Sequence, residues 1–192
     1  QWILPNGKNS FLSVGDQGSY DDEMVCFTRN APVVVGDELY LYYSASSAGF
    51  NDKEAIDTND HINYILKTCR STRKRILCLA KLRLDGFAGM TVDPMALARD
   101  NRPAYLQTQP IEVIENDLRI NIKNSDGTAK VGLYYENARP IEGYELENCL
   151  YVEDGVRTVV RWKERDNIAS LKGKKIIVLI RLHKGTIYAV KL

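Results

Sequence analysis

The chain ends in the stretch that decides its fold: Lys175-Ile-Ile-Val-Leu-Ile-Arg-Leu-His183, then Lys184-Gly185, then Thr186-Ile-Tyr-Ala-Val-Lys-Leu192. Two runs rich in β-branched and aromatic residues, separated by a short glycine-containing turn, are typical of a β-hairpin. The alternation of short apolar runs and turns extends back to Leu118, with no apolar stripe of helical length. We therefore predict an all-β fold whose C-terminal half is a β-sandwich with a jelly-roll-like arrangement.

Further strands are expected between Gly86 and this closing hairpin. The dipeptide Asp126-Gly127 predicts a second hairpin turn. Trp162 alternates with Val160 and Thr158 and is expected in the core. The stretch from Ala88 through Pro103 is predicted to be largely polar and irregular. The strands are predicted near 105–109, 111–114, 118–123, 130–136 and 156–163.

The N-terminal half contains fewer strands. Ala31-Pro-Val-Val-Val-Gly-Asp-Glu-Leu-Tyr-Leu-Tyr-Tyr-Ser44 predicts a hairpin with its turn at Gly36, and Ile76-Leu-Cys-Leu-Ala-Lys-Leu-Arg-Leu84 predicts a third strand. Together they would form an antiparallel sheet of about the size of one β-propeller blade. The polar and basic residues of about 46–75 indicate a loop insertion, with one helical stretch at 56–69. We expect a blade-like segment over 1–86 and a sandwich domain over 87–192.

Composition narrows the classes of partner. The chain has 26 Lys and Arg against 25 Asp and Glu, so no global field attracts nucleic acid or an anionic membrane. The basic cluster Lys67, Arg70, Arg73, Lys74 and Arg75 lacks interleaved aromatic residues and is expected to be a solvated loop face. No apolar run is long enough to span a membrane. We therefore expect neither a nucleic acid nor a membrane as partner.

Cysteine and histidine usage limits the metal chemistry. The four cysteines show no CxxC pair, which leaves free thiols or a single disulfide. With only two histidines, His61 and His183, a histidine-rich site cannot be built. We expect no cofactor, except that a structural cation such as calcium is left open.

Three stretches of the N-terminal half resemble the last blade of five-bladed β-propeller glycoside-hydrolase-like proteins of the invertase-like and arabinanase-like type. They are Gly18-Ser-Tyr-Asp-Asp22, Ala31-Pro-Val-Val-Val-Gly-Asp-Glu-Leu-Tyr-Leu-Tyr-Tyr43 and Leu79-Ala-Lys-Leu-Arg-Leu-Asp-Gly-Phe87. The remainder resembles the β-sandwich that follows the propeller, through Ala138-Arg-Pro-Ile-Glu-Gly-Tyr-Glu-Leu-Glu-Asn148, Val159-Val-Arg-Trp-Lys163, Leu171-Lys-Gly-Lys174 and Thr186-Ile-Tyr-Ala-Val190.

The resemblance implies that the chain is the C-terminal segment of a longer glycosidase, secreted or periplasmic rather than cytoplasmic. The missing propeller blades, on a parent chain or a partner chain, would be its partner. The catalytic carboxylates of such proteins lie in earlier blades, so we assign no catalytic residue and expect this chain alone not to be an enzyme. Its expected role is that of a structural, accessory β-sandwich that also contacts carbohydrate. The alternatives are a stand-alone carbohydrate-binding module and a structural protein-interaction domain.

Candidate substrate-binding residues follow from chemistry that suits sugars. Asp21 and Asp22 could accept hydrogen bonds from hydroxyl groups, although neighbouring carboxylates on one strand do not oppose each other as glycoside cleavage requires. Aromatic rings offer flat apolar faces for pyranose rings, and the candidates are Trp2, Tyr144 and Tyr151. His61 is the candidate cation ligand, because arabinanase-like propellers bring a histidine from the last blade to an axial cation.

Overall fold

The computed structural model of the chain describes residues 10–47, 75–124 and 127–192. The predicted helical stretch at 56–69 lies outside these residues, as do Trp2 and His61. Regular structure in the described residues is almost entirely β-strand, which confirms the all-β prediction. Contacts divide the chain into two units, Gln1–Leu82 and Arg83–Leu192.

The first unit contains one four-stranded sheet, here called sheet A. Val35 pairs with Glu38 across a turn in which Gly36 has a φ of 60°, so the predicted hairpin is confirmed. The strand before this hairpin pairs antiparallel with the far end of its second arm, where Phe27 lies opposite Tyr43. The strands are β1 (Met24–Phe27), β2 (Val33–Val35), β3 (Glu38–Ser46) and β4 (Arg75–Arg83), and β4 also pairs with β3.

Sheet A buries one face more fully than the other. Alternate residues of β3 are buried, including Leu39, Tyr43 and Ala45, as period-two side-chain geometry requires. Large apolar side chains nevertheless stay exposed on the neighbouring strands. They are Val33, Val34 and Val35 on β2 and Leu77 and Leu79 on β4.

The second unit contains two sheets that enclose one core. Sheet B has the strand order β10-β8-β12-β5. In sheet C, β11 is central, with β9 on one side and β6 followed by β7 along the other. The elements are β5 (Met90–Thr91), α1 (Pro94–Asp100), β6 (Ala104–Gln107), β7 (Ile111–Glu112), β8 (Arg119–Lys123), β9 (Ala129–Tyr135), β10 (Gly155–Val159), a 3-10 helix (Ala169–Leu171), β11 (Lys175–Leu182) and β12 (Thr186–Lys191).

Consecutive strands of this unit cross from one sheet to the other, apart from the in-line pair β6 and β7. This alternation, with β12 between β5 and β8 in one sheet and β11 between β6 and β9 in the other, is the strand order of a jelly roll. An irregular segment completes sheet C beyond β9. There the N–H of Tyr135 donates to the carbonyl of Arg139 at 2.9 Å, and the N–H of Leu133 donates to the carbonyl of Tyr144 at 2.9 Å.

The closing hairpin expected from the sequence is wrong, although both of its strands are present. β11 belongs to sheet C and β12 to sheet B, so Lys184-Gly185 connects the two sheets across the core. The predicted hairpin at Asp126-Gly127 is wrong for the same reason, because β8 lies in sheet B and β9 in sheet C. Val178 and Ile187 are buried in the same core although they lie in opposite sheets. The alternation of apolar residues therefore does not indicate which sheet a strand joins.

The sandwich core is continuous and apolar. Trp162 is 1% exposed, as predicted, and its indole N–H donates to the carbonyl of Val131 at 2.9 Å, so its single polar atom is satisfied. Sheet B contributes Ile120, Ile122 and Ile187, and sheet C contributes Val131, Leu133, Ile176, Val178 and Ile180.

The short helix α1 replaces the irregular stretch expected there. Asp93 caps it by accepting a hydrogen bond from the N–H of Met95 at 2.9 Å, and Pro94 stands in its first turn. Asn101 ends it in the left-handed conformation with a φ of 49°. Among the described residues, no helix has the length and apolar character to cross a membrane.

Candidate functional site

Asp21 and Asp22 lie in a turn that precedes β1, not on a strand. The carboxylate of Asp21 accepts a hydrogen bond from the Ser19 hydroxyl at 2.8 Å, and that of Asp22 accepts one from the N–H of Gly18 at 2.7 Å. Side chains of this type commonly stabilise turns by bonding to nearby backbone groups. The structure therefore gives both carboxylates a local turn-forming role.

Tyr144 is buried in the sandwich core. Its ring is 3% exposed and meets the Trp162 ring edge to face, with centroids 5.0 Å apart. Its hydroxyl donates to the carbonyl of Asn167 at 3.0 Å and lies 3.2 Å from the Ser170 hydroxyl. A ring held in this way presents no face to a sugar from solution, so Tyr144 contributes to packing.

Tyr151 is 61% exposed, in the loop that precedes β10, and its ring is accessible as the sequence interpretation requires. Trp2 and His61 lie outside the described residues, so the predictions for them remain predictions. Of the two candidates in the sandwich, Tyr144 is buried and Tyr151 faces solvent.

A different group of polar and aromatic side chains gathers on the outer face of sheet C. The face is defined by the register: Ile180 and Val131 point into the core, so their neighbours along each strand point outward. Three cross-strand rows result. They are Tyr105-Arg181-Lys130, Gln107-Leu179-Gly132 and Ile177-Tyr134, hereafter the sheet C surface.

The sheet C surface contains a shallow hollow of about 140 Å³. Ile177 and Leu179 form an apolar floor, Tyr134 and Gln107 stand on either side, and Ala138 also lines the hollow. Glycine at position 132 keeps this part of the surface compact, because a Cβ there would lie 3.1 Å from both Leu146 and the Tyr134 ring. The hollow is smaller than the roughly 300–1,000 Å³ of pockets for drug-sized ligands, and its size suits one ring of a longer ligand.

The two tyrosines of this surface differ in environment. Tyr105 is 60% exposed, whereas Tyr134 is half-buried beside the hollow. Burial, followed by the nearby carboxylates of Glu147 and Glu145, raises the pKa of Tyr134 above its ordinary value of 10.0. Its hydroxyl therefore keeps its proton at neutral pH and can both donate and accept a hydrogen bond.

A second hollow, of about 210 Å³, lies on the outer face of sheet B. Two of its cations are already paired, since Arg119 contacts Asp117 at 3.0 Å and Lys191 contacts Glu115 at 3.1 Å. Its amide is also engaged, because Asn121 donates to the carbonyl of Leu84 at 2.6 Å. No aromatic ring lines this hollow, so it offers less to a sugar than the sheet C surface does.

Cysteines and acidic groups assemble no site in the described part of the chain. Cys26, Cys78 and Cys149 are free thiols, and burial raises the pKa of Cys149. Within residues 10–47, 75–124 and 127–192, no three side chains of His, Cys, Asp or Glu are grouped as a metal ion would need. The expectations about cofactors remain predictions.

No family model matches the chain, and neither the curated proteins nor the solved structures include a match to it. Its function must therefore be argued from the residues themselves. Tyr134 was not among the candidates from the sequence, and neither were Tyr105 and Gln107. The available signal was the alternation in Ala104-Tyr-Leu-Gln107, which places these two residues on the face opposite Leu106.

Proposed function

We propose that the chain is the accessory C-terminal part of a glycoside-hydrolase-like protein and that it binds carbohydrate on the sheet C surface. The observation that supports this proposal is that Gln107 and Tyr134 flank the apolar floor of Ile177 and Leu179. The exposed Tyr105 lies in the adjacent cross-strand row of the same face. The jelly-roll strand order does not by itself define a function, because one fold supports many. The side chains of the sheet C surface are therefore what supports carbohydrate binding.

These side chains suit a sugar because a pyranose ring has an apolar C–H face and a rim of hydroxyl groups. A tyrosine ring offers an apolar surface to the C–H face of the sugar. The tyrosine hydroxyl offers a hydrogen-bond donor and an acceptor to the sugar hydroxyl groups. The Gln107 amide adds two donors and an acceptor, and it makes no hydrogen bond with the described residues. A solvent-exposed sheet face can also accept a long chain, which an enclosed pocket cannot.

The link to a glycosidase comes from the resemblance of Gly18–Asp22, Ala31–Tyr43 and Leu79–Phe87 to the last blade of a propeller. In such a parent protein, a carboxylic acid would protonate the glycosidic oxygen while a second carboxylate attacked the sugar or activated water. The present chain would hold the polysaccharide near that centre. Its sandwich would contribute binding and not bond cleavage.

The proposal is tested by screening the full chain against an array of neutral and acidic oligosaccharides, followed by titration calorimetry of each ligand found. Tyr105→Ala should weaken binding by at least about tenfold, because hot spots are commonly aromatic anchors. Tyr151→Ala is the matched control, since Tyr151 has nearly the same exposure, 61% against 60%. Absence of binding to any glycan would contradict the proposal, and loss of binding only in Tyr151→Ala would move the site to the residue favoured by the sequence.

Sheet A favours a second candidate function, packing against another β-sheet. Leu77 is 71% exposed, and Val33, Val35 and Leu79 are each more than 40% exposed. A group of apolar side chains exposed on one sheet commonly marks an interface. A neighbouring propeller blade of the parent protein would cover them.

Co-expression with candidate N-terminal blades would test this role by co-purification. Leu77→Ser with Leu79→Ser should abolish the association, whereas Ser substitution at the exposed Met95 of the other unit should not. Equal co-purification of the wild type, the double leucine variant and the Met95 variant would show that Leu77 and Leu79 do not contribute to such an interface.

A further inference from the structure

Two cations stand side by side on the sheet C surface, in register with an exposed tyrosine. Arg181 of β11 lies directly opposite Tyr105 on one side and Lys130 on the other. Both cationic side chains are half-buried against the sheet. Like charges directly opposite each other across two strands are destabilising, so this placement has a cost for folding.

No carboxylate of the described residues forms an ion pair with Arg181 or Lys130. The Lys130 ammonium donates one hydrogen bond, to the carbonyl of Cys149 at 2.6 Å. An ammonium has three donors, so it retains capacity for a ligand.

Acidic groups lie toward the other end of the same surface. Glu145 and Glu147 are close enough to Tyr134 to raise the pKa of its hydroxyl. The Glu145 carboxylate is engaged with the Asn148 amide at 2.6 Å. The sheet C surface therefore has a cationic end at Tyr105 and an acidic end at Tyr134.

We propose that the sheet C surface recognises an acidic carbohydrate, a chain containing uronic acid, with Arg181 as the residue that binds the sugar carboxylate. This inference rests on the proposed function and specifies its ligand. The guanidinium group is planar and matches a carboxylate with two parallel hydrogen bonds, and Lys130 supplies a second positive charge beside it. Tyr105, next to Arg181 in the row, stacks against the ring that carries the carboxylate.

The experiment uses the full chain and a panel of uronate tetramers of differing linkage, each paired with its methyl ester, which keeps the sugar and removes the charge. The acidic form of at least one pair should bind, and its methyl ester should bind at least about tenfold more weakly. Raising the salt from about 50 to about 500 mM should weaken binding of the acidic form, since exposed charges are screened. An oligothymidylate of equal charge should not compete.

Arg181→Gln is the decisive variant. It should lose affinity for the uronate by about tenfold or more while leaving any binding of the methyl ester unchanged. Arg161→Gln, which removes the same charge from an exposed position elsewhere on the sandwich, is the control. Because Arg181→Gln also removes the opposed charges, its thermal stability should equal or exceed that of the wild type, which separates loss of binding from loss of fold.

Three results would overturn this inference. Equal binding of uronates and methyl esters, or unchanged uronate affinity in Arg181→Gln, would leave the carbohydrate function in place and remove its acidic specificity. Preferential binding of the oligothymidylate would replace the ligand by a nucleic acid. Binding of no member of the panel and of no neutral glycan would remove the proposed function itself.

Discussion

Sheet A and the sandwich contain similar apolar residues, but these residues are buried to different extents. In the sandwich, residues such as Leu118 and Ile120 are fully buried and form one continuous core. In sheet A, Leu77 and Val34 are more than half exposed. The difference shows that an apolar pattern in a strand identifies side chains that can be buried. It does not show which part of the protein, or which partner, covers them.

The largest effect that would test this comparison comes from a matched pair of leucines. Leu118→Ala should lower the free energy of unfolding by about 3 kcal/mol, because it removes fully buried methyl groups and leaves a cavity. Leu77→Ala should change it by less than about 0.5 kcal/mol, since that side chain is 71% exposed. The effect of Leu118→Ala is measured by urea denaturation followed by Trp162 fluorescence in a Trp2→Phe background. The effect of Leu77→Ala is measured by urea denaturation followed by far-ultraviolet circular dichroism. Similar losses would show that sheet A has a core of its own around Leu77.

A pair of turn glycines sharpens the comparison. Gly185 has a φ of 113°, and an added Cβ would collide with the carbonyl of Lys123, so Gly185→Ala should cost about 2 kcal/mol or more. Gly36 has a φ of 60° in the hairpin of sheet A, where an added Cβ meets nothing, and Gly36→Ala should cost about 1 kcal/mol. Thermal unfolding of both variants checks the order. A greater loss for Gly36→Ala would mean that the sheet-to-sheet connection tolerates rearrangement.

Ala138 tests whether the sandwich is strained at its candidate site. Its φ of 62° is unfavourable for alanine, and Ala138 lines the hollow. Ala138→Gly should therefore raise stability by about 0.5 kcal/mol while weakening glycan binding. Ala169→Gly is the control and should lose about 0.5–1 kcal/mol, because its backbone is helical. A loss of stability in both variants would show that the backbone at 138 is not strained.

The smallest expected effect is a pH dependence confined to the sandwich. The backbone N–H groups at positions 145 and 143 and the Asn148 amide lower the pKa of Glu145 below 4.5, so folding favours its ionised form. Its contribution to stability is complete above pH 4.5 and is lost as the pH falls through the lowered pKa. Denaturation from pH 7 to pH 3 should show Glu145→Gln less stable than wild type at pH 7 and equal to it at the acidic end. Glu38→Gln in sheet A should match wild type throughout, because the pair of Glu38 with Lys81 is solvent-exposed.

The sequence predicts the strands of this protein better than their pairing. Alternation in 118–123 and 130–136 identifies both strands, since burial of every second side chain is a local property. Pairing depends on the whole core, and β8 and β9 lie in different sheets although the dipeptide Asp126-Gly127 between them predicts a hairpin. Helix α1 could have been predicted from Asp93 and Pro94, which are a typical cap and first turn.

The candidate site was less predictable, because it is assembled from three strands distant in sequence. Nothing local indicates that Tyr105, Arg181 and Lys130 form one row, since that requires the register of β6, β11 and β9. Tyr144 was a candidate because of its aromatic ring, yet it packs against Trp162 in the core. Exposure of an aromatic ring is a tertiary property, which the residue type alone does not determine.

The crossing of each strand to the opposite sheet has a consequence for how the chain folds. Because sequence neighbours do not pair, the ladders join residues far apart, such as Met90 with Ile187 and Ala104 with Leu182. Long loops must close before these contacts form, which places the sandwich among slow-folding topologies with times of roughly milliseconds to seconds. β12 is also an inner strand of sheet B, so during synthesis sheet B cannot be completed until Thr186–Lys191 has left the ribosome.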